Sequence, residues 1–426
     1  MKLIEEILST ENVRAALCKV IANKGAAGID GMEVTQLRDH MNANWWSIKQ
    51  SILERNYKPA PVRRVEIPKP NGGVRKLGIP TVVDRTLQQA IVQVLSPIFE
   101  QEFQESSYGF RPSRSCEQAV LKLLEYLNEG YEWIVDIDLE KFFDNVPQDK
   151  LMSYVGRVIQ DPDTESLIRK YLKSGVMENG MYHPTELGTP QGGNLSPLLS
   201  NVMLNELDKE LVNRGLRYVR YADDCVIAVG SSASANRVMH TITTWIERKL
   251  GLKVNATKTH VSRPSRLKYL GFGFYKNPQT GKWASRPHES SVEKFTRRLK
   301  KLCKRSWSIS MAKRISLLNP VIRGWVNYFA IGSMKGKLAD IDALLRTMLR
   351  KVIWKQWKTP KKRAWGLRKL GVDNDLARLT SNCGDRYEWV VRRTCVAKYI
   401  SKEVLSRKGL VSCLDYYLIR HSLKTN

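Results

Sequence analysis

The chain has 426 residues, of which 42% are hydrophobic and 26% charged, and its formal net charge is +28. This length corresponds to roughly two to four domains, and the apolar fraction is ordinary for a globular protein. No run of about 18 apolar residues occurs, so we expect no membrane span. Glu5 and Glu6 place acidic charge too near the start for a signal or transit peptide, which we also do not expect.

The positive charge is concentrated in the last third of the chain. Residues 276–426 contain 35 Lys+Arg and 10 Asp+Glu, a net charge of +25, whereas the preceding 275 residues carry only +3. Solvated lysine faces are the ordinary explanation of basic stretches, but an excess this uneven favours a polyanionic partner. A membrane surface would instead select one amphipathic basic helix. Tryptophans and tyrosines interleaved with these charges suit core packing and stacking on RNA bases alike, and we predict nucleic-acid binding.

The cysteines are scattered and odd in number, and none forms a Cys-x-x-Cys pair. This pattern indicates reduced, structural thiols and argues against a zinc module. We therefore expect a cytosol-like compartment. The cysteines are Cys18, Cys116, Cys225, Cys303, Cys383, Cys395 and Cys413.

The first predicted elements are a helical region and a hairpin. Residues 1–60 are predicted to be mostly helical, with a Gly-rich loop at 23–31. Residues 62–67 and 74–79 have the character of short strands, and the Pro/Gly-rich stretch between them predicts a tight turn. Residues 84–104 then show the periodicity of a long amphipathic helix.

The middle of the chain alternates strands with helices. Residues 133–138 have period-2 character, which places Asp136 and Asp138 on one face of a strand. Residues 196–212 begin with Ser-Pro, which favours a helix start, and continue with apolar residues at helical spacing. Residues 216–229 contain two apolar runs around Tyr-Ala-Asp-Asp and predict a hairpin with the aspartates at its turn. The mixed, non-repeating order predicts an α+β body rather than a doubly wound parallel sheet.

Helices dominate the last third from residue 291 onward. Apolar residues form one stripe of the first of these helices, basic residues occupy its other faces, and a second helix is predicted at 341–356. Because a turn-forming segment precedes them, we place a domain boundary near residues 276–287.

Three aspartates are the strongest candidates for chemistry. Adjacent Asp223 and Asp224 at a turn repel each other and lose hydration unless a cation neutralises them. A solvated hairpin tip is the commoner fate of such a turn, and an acid at a strand end, such as Asp138, more often caps the next helix. Together, however, the three carboxylates form a set that binds two magnesium ions for phosphoryl transfer. Asp136 is assigned a structural hydrogen-bonding role.

Other candidate residues surround this set in the sequence. The paired glycines in residues 188–193 permit close approach of a nucleotide. Lys69 and Arg75 flank the first hairpin turn and are suited to hold a triphosphate, although surface charge is the simpler explanation. Lys258 is suited to donate a proton to leaving pyrophosphate, with a solvated lysine as the alternative.

The order of these segments resembles that of the fingers and palm motifs of reverse transcriptases. Several details resemble the bacterial group II intron reverse transcriptase/maturase family in particular, and the resemblance covers about residues 20–420. The segments that carry it are residues 107–112 (Ser-Tyr-Gly-Phe-Arg-Pro), 136–144 (Asp-Ile-Asp-Leu-Glu-Lys-Phe-Phe-Asp), 188–197, the loop at 25–31, and 318–329.

The resemblance implies a right-hand polymerase. We expect α+β fingers and palm with an antiparallel sheet, followed by an all-α basic thumb (maturase) domain. The implied domains are an N-terminal extension at 1–60, fingers and palm at 61–275, a thumb at 276–365, and a basic C-terminal DNA-binding segment at 366–426.

The resemblance also implies roles for individual residues. Asp138, Asp223 and Asp224 would hold two Mg²⁺ ions, with Lys258 as a further catalytic residue. Phe143 would be the steric gate that rejects a ribose 2′-OH. The remaining deoxynucleotide-binding residues would be Lys69, Arg75, Gln191 and Gly192. The primer grip would consist of Tyr269, Leu270, Gly271 and Phe272. The implied RNA- and DNA-binding residues are Arg111, Arg297, Arg298, Lys301, Arg323, Trp325, Lys361, Lys362 and Arg363.

The implied function is RNA-directed DNA synthesis combined with maturase activity in splicing and retrohoming. The implied partners are intron RNA, an RNA template with a DNA or RNA primer, deoxynucleotides and target DNA. The implied location is a bacterial cytoplasm, and the resemblance is also compatible with a homodimer. One alternative is an RNA-binding splicing factor with an unused polymerase site, and another is a reverse transcriptase diverted to defence or DNA repair. The intact acid set argues against the first, and the large maturase-like segment against the second.

Many family members end in a Cys- and His-bearing endonuclease domain. Here the last cysteines are unpaired in sequence, and His421 is the only histidine after His288. We therefore expect no endonuclease activity and a short form that resembles the class C intron enzymes.

Overall fold

The computed structural model describes residues 2–69, 72–190 and 192–425, and it divides into two compact units, Met1–Arg263 and Pro264–Asn426. The observed division therefore precedes the boundary that we placed at residues 276–287. The reason is that Phe272 packs against Tyr328 and Phe329, with ring centroids 5.8 and 4.8 Å away, which ties this stretch of strand to the helices of the second unit.

Several helices of the first unit begin with a side-chain cap. The α4 helix, for example, begins after Thr81, whose hydroxyl accepts a hydrogen bond from the backbone N–H of Asp84. The helices are α1 (Leu3–Ile7), α2 (Thr10–Ala22), α3 (Leu37–Leu53), α4 (Val82–Glu100), α5 (Cys116–Asn128), α6 (Phe142–Asn145), α7 (Gln148–Ile159), α8 (Pro162–Leu172), α9 (Ser196–Asn213) and α10 (Ser232–Trp245), the last continued by a π-helical turn at Ile246–Leu250.

The strands of the first unit form two sheets. They are β1 (Val62–Pro68), β2 (Val74–Ile79), β3 (Trp133–Ile137), β4 (Val176–Glu178), β5 (Met181–His183), β6 (Arg217–Tyr221), β7 (Asp224–Val229) and β8 (His260–Ser262). One sheet has the order β2-β1-β4-β5 and contains the predicted hairpin. The pairing of β1 with β4 is parallel and departs from the antiparallel arrangement that we expected.

The second sheet, with the order β6-β7-β3-β8, is antiparallel throughout and carries the aspartates. Ile134, Val135 and Ile137 are buried in its central strand, and α10 packs against that strand. The period-2 pattern of residues 133–138 thus places Val135 and Ile137 in the core and leaves Asp136 and Asp138 half-buried on the other face, which they share with Ile134.

The second unit combines a small sheet with helices. Its strands are β9 (Lys268–Tyr269), β10 (Phe272–Lys276) and β11 (Trp283–Pro287), in the order β11-β10-β9. The β11 strand lies within the segment that we expected to be all-α, because the turn before it closes a hairpin with β10. The helices are α11 (Glu289–Leu302), α12 (Met311–Phe329), α13 (Lys335–Gln356), α14 (Pro360–Lys369), α15 (Asn374–Ser381), α16 (Tyr387–Arg393), α17 (Cys395–Tyr399), α18 (Lys402–Arg407) and α19 (Cys413–Thr425).

The last helix is fixed to the rest of the second unit by one buried carboxylate. Asp342 of α13 accepts hydrogen bonds from the backbone N–H groups of Cys413 and Leu414, at 2.9 and 3.0 Å, and from the Ser412 hydroxyl at 2.8 Å. A negative charge at a helix N-terminus is stabilising. Among the described residues, no helix is both long and apolar enough to cross a membrane.

Candidate active site

The central sheet of the first unit brings the three predicted aspartates together. In the β3–β7 ladder Ile137 is opposite Cys225, so the next pair along the two strands is Asp138 and Asp224. Asp223 lies in the two-residue turn between Tyr221 and Asp224, which close the β6–β7 hairpin. The hairpin and the position of its aspartates therefore agree with the sequence pattern.

The backbone of Asp138 is held by the segment that carries Lys258. Its N–H donates to the Thr259 hydroxyl at 3.1 Å, and its carbonyl accepts from the N–H of Asn255 at 2.8 Å. The Lys258 Nζ then lies 3.2 Å from Asp138 Oδ2. The Lys258 ammonium is thus placed directly at the carboxylate set.

The carboxylates repel one another strongly. Asp224 reaches solvent, but the surrounding protein displaces much of its hydration, and this desolvation, followed by repulsion from Asp223, Asp136 and Asp138, raises its pKa to about 6. Desolvation also raises the pKa of Asp223, with repulsion from Asp138 adding to it and Arg75 opposing it. Such a concentration of negative charge favours binding of cations.

Asp136 belongs to the same negative face. Desolvation raises its pKa to about 6, nearby His260 lowers it, and Asp138 raises it. His260 is opposite Asp136 in the β3–β8 ladder. Within the described part of the chain the Asp136 carboxylate accepts no hydrogen bond, which departs from the structural hydrogen-bonding role that we expected for it. The His260 ring opposite it is hydrogen-bonded through Nδ1 to the Lys258 carbonyl instead.

The donor set fits divalent metal ions, although the carboxylates are not clustered around a preformed ion site. No three His, Cys, Asp or Glu side chains of the described residues converge closely enough to enclose a metal. Asp138 is instead paired with Lys258. Hard carboxylate oxygens, raised pKa values and mutual repulsion at Asp223 and Asp224 are nevertheless the properties that divalent cations compensate.

A cleft of about 630 Å³ opens beside the aspartates and collects most of the predicted nucleotide-binding residues. Lys69 and Arg75 reach it from the ends of the β1–β2 hairpin. Phe143 and Lys258 also line it. Positive side chains and the three aspartates therefore line the same cleft, which is suited to a polyphosphate bound with metal ions.

Phe143 is held in the cleft wall by its neighbours. Its ring makes an edge contact with buried Phe142, with centroids 5.2 Å apart. Its carbonyl accepts a hydrogen bond from Thr189 at 2.7 Å, which attaches the 188–193 loop to α6. A Cβ on Gly188 would lie 2.7 Å from the same carbonyl, so this close approach requires glycine.

The following part of that loop packs against the β2 strand. Gly192 has φ +118°, and a Cβ there would lie 2.7 Å from the carbonyl oxygen of Gly78. Its placement beside the hairpin that carries Lys69 and Arg75 agrees with the predicted site. Gln191, the other predicted residue of this loop, lies outside the described residues.

The predicted primer grip lies in the second unit, where its two aromatic side chains face inward. Tyr269 and Phe272 are buried, and only the turn between them, at Leu270 and Gly271, is partly open. The Leu270 carbonyl accepts a hydrogen bond from the Tyr328 hydroxyl at 2.9 Å. Any contact to a primer would therefore come from the turn rather than from the aromatic rings.

The predicted nucleic-acid contacts divide into exposed and buried side chains. The exposed ones leave their charges free to meet a phosphate backbone, and they are Arg297, Arg298, Lys301, Arg323, Lys361 and Lys362. Trp325 is half-buried and stacks on Phe295 with centroids 4.4 Å apart, so its role is packing within the second unit.

Two of the predicted contacts are wrong. Arg111 is 7% exposed, and its guanidinium binds the Glu100 carboxylate and the Ser107 carbonyl. Arg363 is 6% exposed, binds Asp385 and covers the Trp354 ring at 4.7 Å. Neither guanidinium is available to RNA, because each is buried and is already bound to protein groups.

One group of polar residues behind the aspartates was not anticipated. Arg220, two residues before Ala222, is fully buried together with Asp208 of α9. The sequence signal for this pair is an arginine that directly follows the apolar residues Tyr218 and Val219 of β6.

Two stretches of the chain match known protein families. Residues 67–274 match the family described as "Reverse transcriptase (RNA-dependent DNA polymerase)". Residues 292–371 match "Group II intron, maturase-specific domain". The first match lies within the segment that we predicted as fingers and palm, and the second covers most of the predicted thumb and extends six residues into the predicted C-terminal segment.

Several known proteins are similar to this chain. "Protein YkfC" of Escherichia coli (strain K12) is 33% identical over 300 residues, covering 61% of this chain and 79% of that protein. "Group II intron-encoded protein LtrA" of Lactococcus lactis subsp. cremoris is 32% identical over 346 residues, covering 64% of this chain and 56% of LtrA. The "Putative COX1/OXI3 intron 2 protein" of Saccharomyces cerevisiae is 28% identical over 327 residues, covering 62% of this chain and 37% of that protein. The chain thus spans most of YkfC but only about half of LtrA.

Proposed function

Because the chain belongs to the group II intron-encoded reverse transcriptase and maturase family, we propose that the cleft beside Asp138, Asp223 and Asp224 copies RNA into DNA with magnesium and deoxynucleotides. The chain is an RNA-directed DNA polymerase with a maturase domain, and that domain binds intron RNA. The observation that carries the proposal is the meeting of three aspartates from β3 and the β6–β7 turn at a cleft that Lys69 and Arg75 also line.

Reverse transcriptases generally depend on divalent metal ions, and magnesium is the proposed ion here. Asp138, Asp223 and Asp224 would hold two of them, because carboxylate oxygens are the ligands that Mg²⁺ prefers. When bound, the ions lower the pKa of the primer 3′-hydroxyl and neutralise the leaving pyrophosphate. The chain itself contributes the fixed turn that holds Asp223 and Asp224 on the side of the sheet facing the cleft.

Nucleotide binding is assigned to the cleft walls. Lys69 and Arg75 would hold the triphosphate, and Gly192 would let the loop approach the nucleotide closely. Phe143 is proposed to reject ribonucleotides, because its ring is fixed by Phe142 and cannot move aside without losing that contact. Gln191 remains a prediction from the sequence alone.

Lys258 is proposed to donate a proton to the leaving pyrophosphate. Its Nζ lies 3.2 Å from Asp138 Oδ2, which keeps the ammonium beside the reacting groups. With Asp138 holding a metal ion, the Lys258 ammonium would be available to a phosphate oxygen. This assignment makes Lys258 dependent on Asp138 for its position.

We propose that the second unit binds the nucleic-acid partners. Exposed Arg297, Arg298 and Lys301 lie on α11 outside its buried stripe and are suited to the template–primer backbone or to intron RNA. We propose that the protein assists splicing and retrohoming of its intron into target DNA in a bacterial cytoplasm. The basic segment at 366–426 is proposed to bind DNA.

The test is primer extension on poly(rA) with an oligo(dT) primer, dTTP and Mg²⁺, comparing the natural chain with Asp223→Ala. Extension by the natural chain and its loss in the variant would support the polymerase and its carboxylate site together. Failure of both proteins, with tight binding of intron RNA retained, would favour an RNA-binding splicing factor instead. An intron splicing assay with Asp223→Ala would then show whether RNA binding and polymerisation are separable.

A further inference from the structure

A buried guanidinium lies directly behind the turn that carries Asp223. Arg220 is the fourth residue of β6 and is 0% exposed. A buried arginine is unfavourable unless its donors are satisfied, so its hydrogen bonds indicate what it is there to hold.

The guanidinium has three partners. Nε donates to both Asp208 oxygens at 2.8 and 3.0 Å, and Asp208 is itself 0% exposed. Nη1 donates to the Asn201 side-chain oxygen at 3.0 Å and to the Ala222 carbonyl at 2.8 Å. Asn201 and Asp208 are seven residues apart on α9, about two turns, and so face the same side of that helix.

The Ala222 carbonyl belongs to a strained turn. Ala222 has φ +57°, a left-handed conformation that is unfavourable for a non-glycine residue and persists only where the surroundings enforce it. The enforcing groups lie on two sides. Arg220 holds the carbonyl, and Gly109 packs so closely that a Cβ there would lie 2.2 Å from Ala222 N. Asn201 connects the two by donating to the Gly109 carbonyl at 2.8 Å.

We propose that Arg220 is a positioning residue for nucleotidyl transfer, which holds Asp223 in place for metal binding by fixing the Ala222 carbonyl. Asp208 neutralises and orients the guanidinium, and Asn201 couples it to Gly109. The inference rests on the proposed polymerase function, but it concerns residues that touch neither nucleotide nor metal.

A purely structural role for the Arg220–Asp208 ion pair leads to a different prediction. A buried ion pair can often be replaced by apolar residues of similar volume without loss of stability, whereas removal of one partner is strongly destabilising. The double variant Arg220→Met/Asp208→Leu therefore removes the hydrogen bond to Ala222 while leaving no unpaired buried charge. Tyr218→Phe is the matched control, because Tyr218 is buried on the same strand and its hydroxyl has no hydrogen-bond partner among the described residues.

The experiment measures steady-state dTTP incorporation, Mn²⁺ binding by electron paramagnetic resonance, template–primer affinity and thermal unfolding. For the double variant we expect kcat to fall about 10²-fold, with KM for dTTP and template–primer affinity changed by less than about threefold. Mn²⁺ binding should weaken while the unfolding temperature stays near that of the natural chain. Tyr218→Phe should match the natural chain in every measurement.

Two results would overturn the inference. One is a folded double variant with natural kcat, and the other is natural Mn²⁺ affinity in that variant. If the double variant does not fold, Arg220→Lys is used, which keeps the charge opposite Asp208 but lacks the second arm that reaches Ala222. If the natural chain itself shows no extension, the polymerase proposal fails, and the Mn²⁺ comparison alone decides the role of Arg220.

Discussion

Gly109 lies against the backbone of the aspartate turn, and adding one methyl group there should disable the active site. A Cβ at this position would lie 2.2 Å from Ala222 N, 2.9 Å from Tyr221 C and 3.0 Å from Ala222 Cα. All three atoms belong to the backbone, so no side-chain rotation can relieve the contact. Since real Cβ atoms essentially never approach closer than 3.0 Å, the turn in Gly109→Ala must move by about 0.8 Å.

A displacement of this size is large for catalysis and modest for stability. Misplacement of reacting groups by about 1 Å can lower a rate by about 10²-fold. Overpacking typically destabilises by about 1–3 kcal/mol. We therefore expect Gly109→Ala to fold with a lowered unfolding temperature and to lose about 10²-fold in kcat with little change in template–primer affinity.

The matched control is Gly230→Ala, which adds the same methyl group one residue after β7. A Cβ at Gly230 meets no atom within 4 Å. The assay is single-turnover dTTP incorporation on poly(rA)–oligo(dT), with unfolding followed by circular dichroism. Natural kcat in a folded Gly109→Ala protein, or an equal loss in Gly230→Ala, would refute the argument that this contact positions the turn.

Three further changes test other parts of the account. Asp136→Asn should raise the free energy of unfolding of the metal-free protein by about 1–3 kcal/mol at pH 7.5, because the folded carboxyl, with its pKa raised to about 6, is ionised there against desolvation. This gain should shrink as pH falls from about 6 to about 4, where the folded carboxyl is protonated, and equal urea midpoints at pH 7.5 would contradict it. Arg111→Met should lower the unfolding temperature without changing the salt dependence of RNA binding, because the arginine is buried. The double variant Arg297→Gln/Arg298→Gln should keep the natural unfolding temperature, and the slope of log K for RNA binding against log salt concentration should become less steep by about 1–2. Phe143→Ala should raise UTP incorporation relative to dTTP by about tenfold or more, and an unchanged ratio would remove the steric-gate assignment.

The local patterns predicted the catalytic sheet because strand alternation is a short-range property. The apolar runs around residues 221–224 predict the β6–β7 hairpin, and the period of two within residues 133–138 places Asp138 on the open face of β3. By contrast, charge in the sequence does not distinguish Arg111 from Arg297, since the acid that buries Arg111 lies eleven residues away on a different element. Only the fold shows which arginine is enclosed.

A very short strand and a contact between distant elements were also difficult to predict. The β11 strand has five residues and is stabilised mainly by pairing with β10, so its own sequence carries little signal. The role of Arg220 depends on α9 lying behind the hairpin, which no local pattern specifies. An arginine within a buried strand is nevertheless a detectable exception to the apolar pattern, and it marks a position where a partner should be sought.

The most direct test of the central claim compares four carboxylates in one assay. Single-turnover incorporation at fixed Mg²⁺ is measured for Asp138→Asn, Asp223→Asn, Asp224→Asn and Asp136→Asn. The account predicts losses of about 10³-fold or more for the first three and less than about tenfold for Asp136→Asn, because only the first three are assigned as metal ligands. Activity retained by any of the first three, or an equal loss in Asp136→Asn, would contradict the three-carboxylate site.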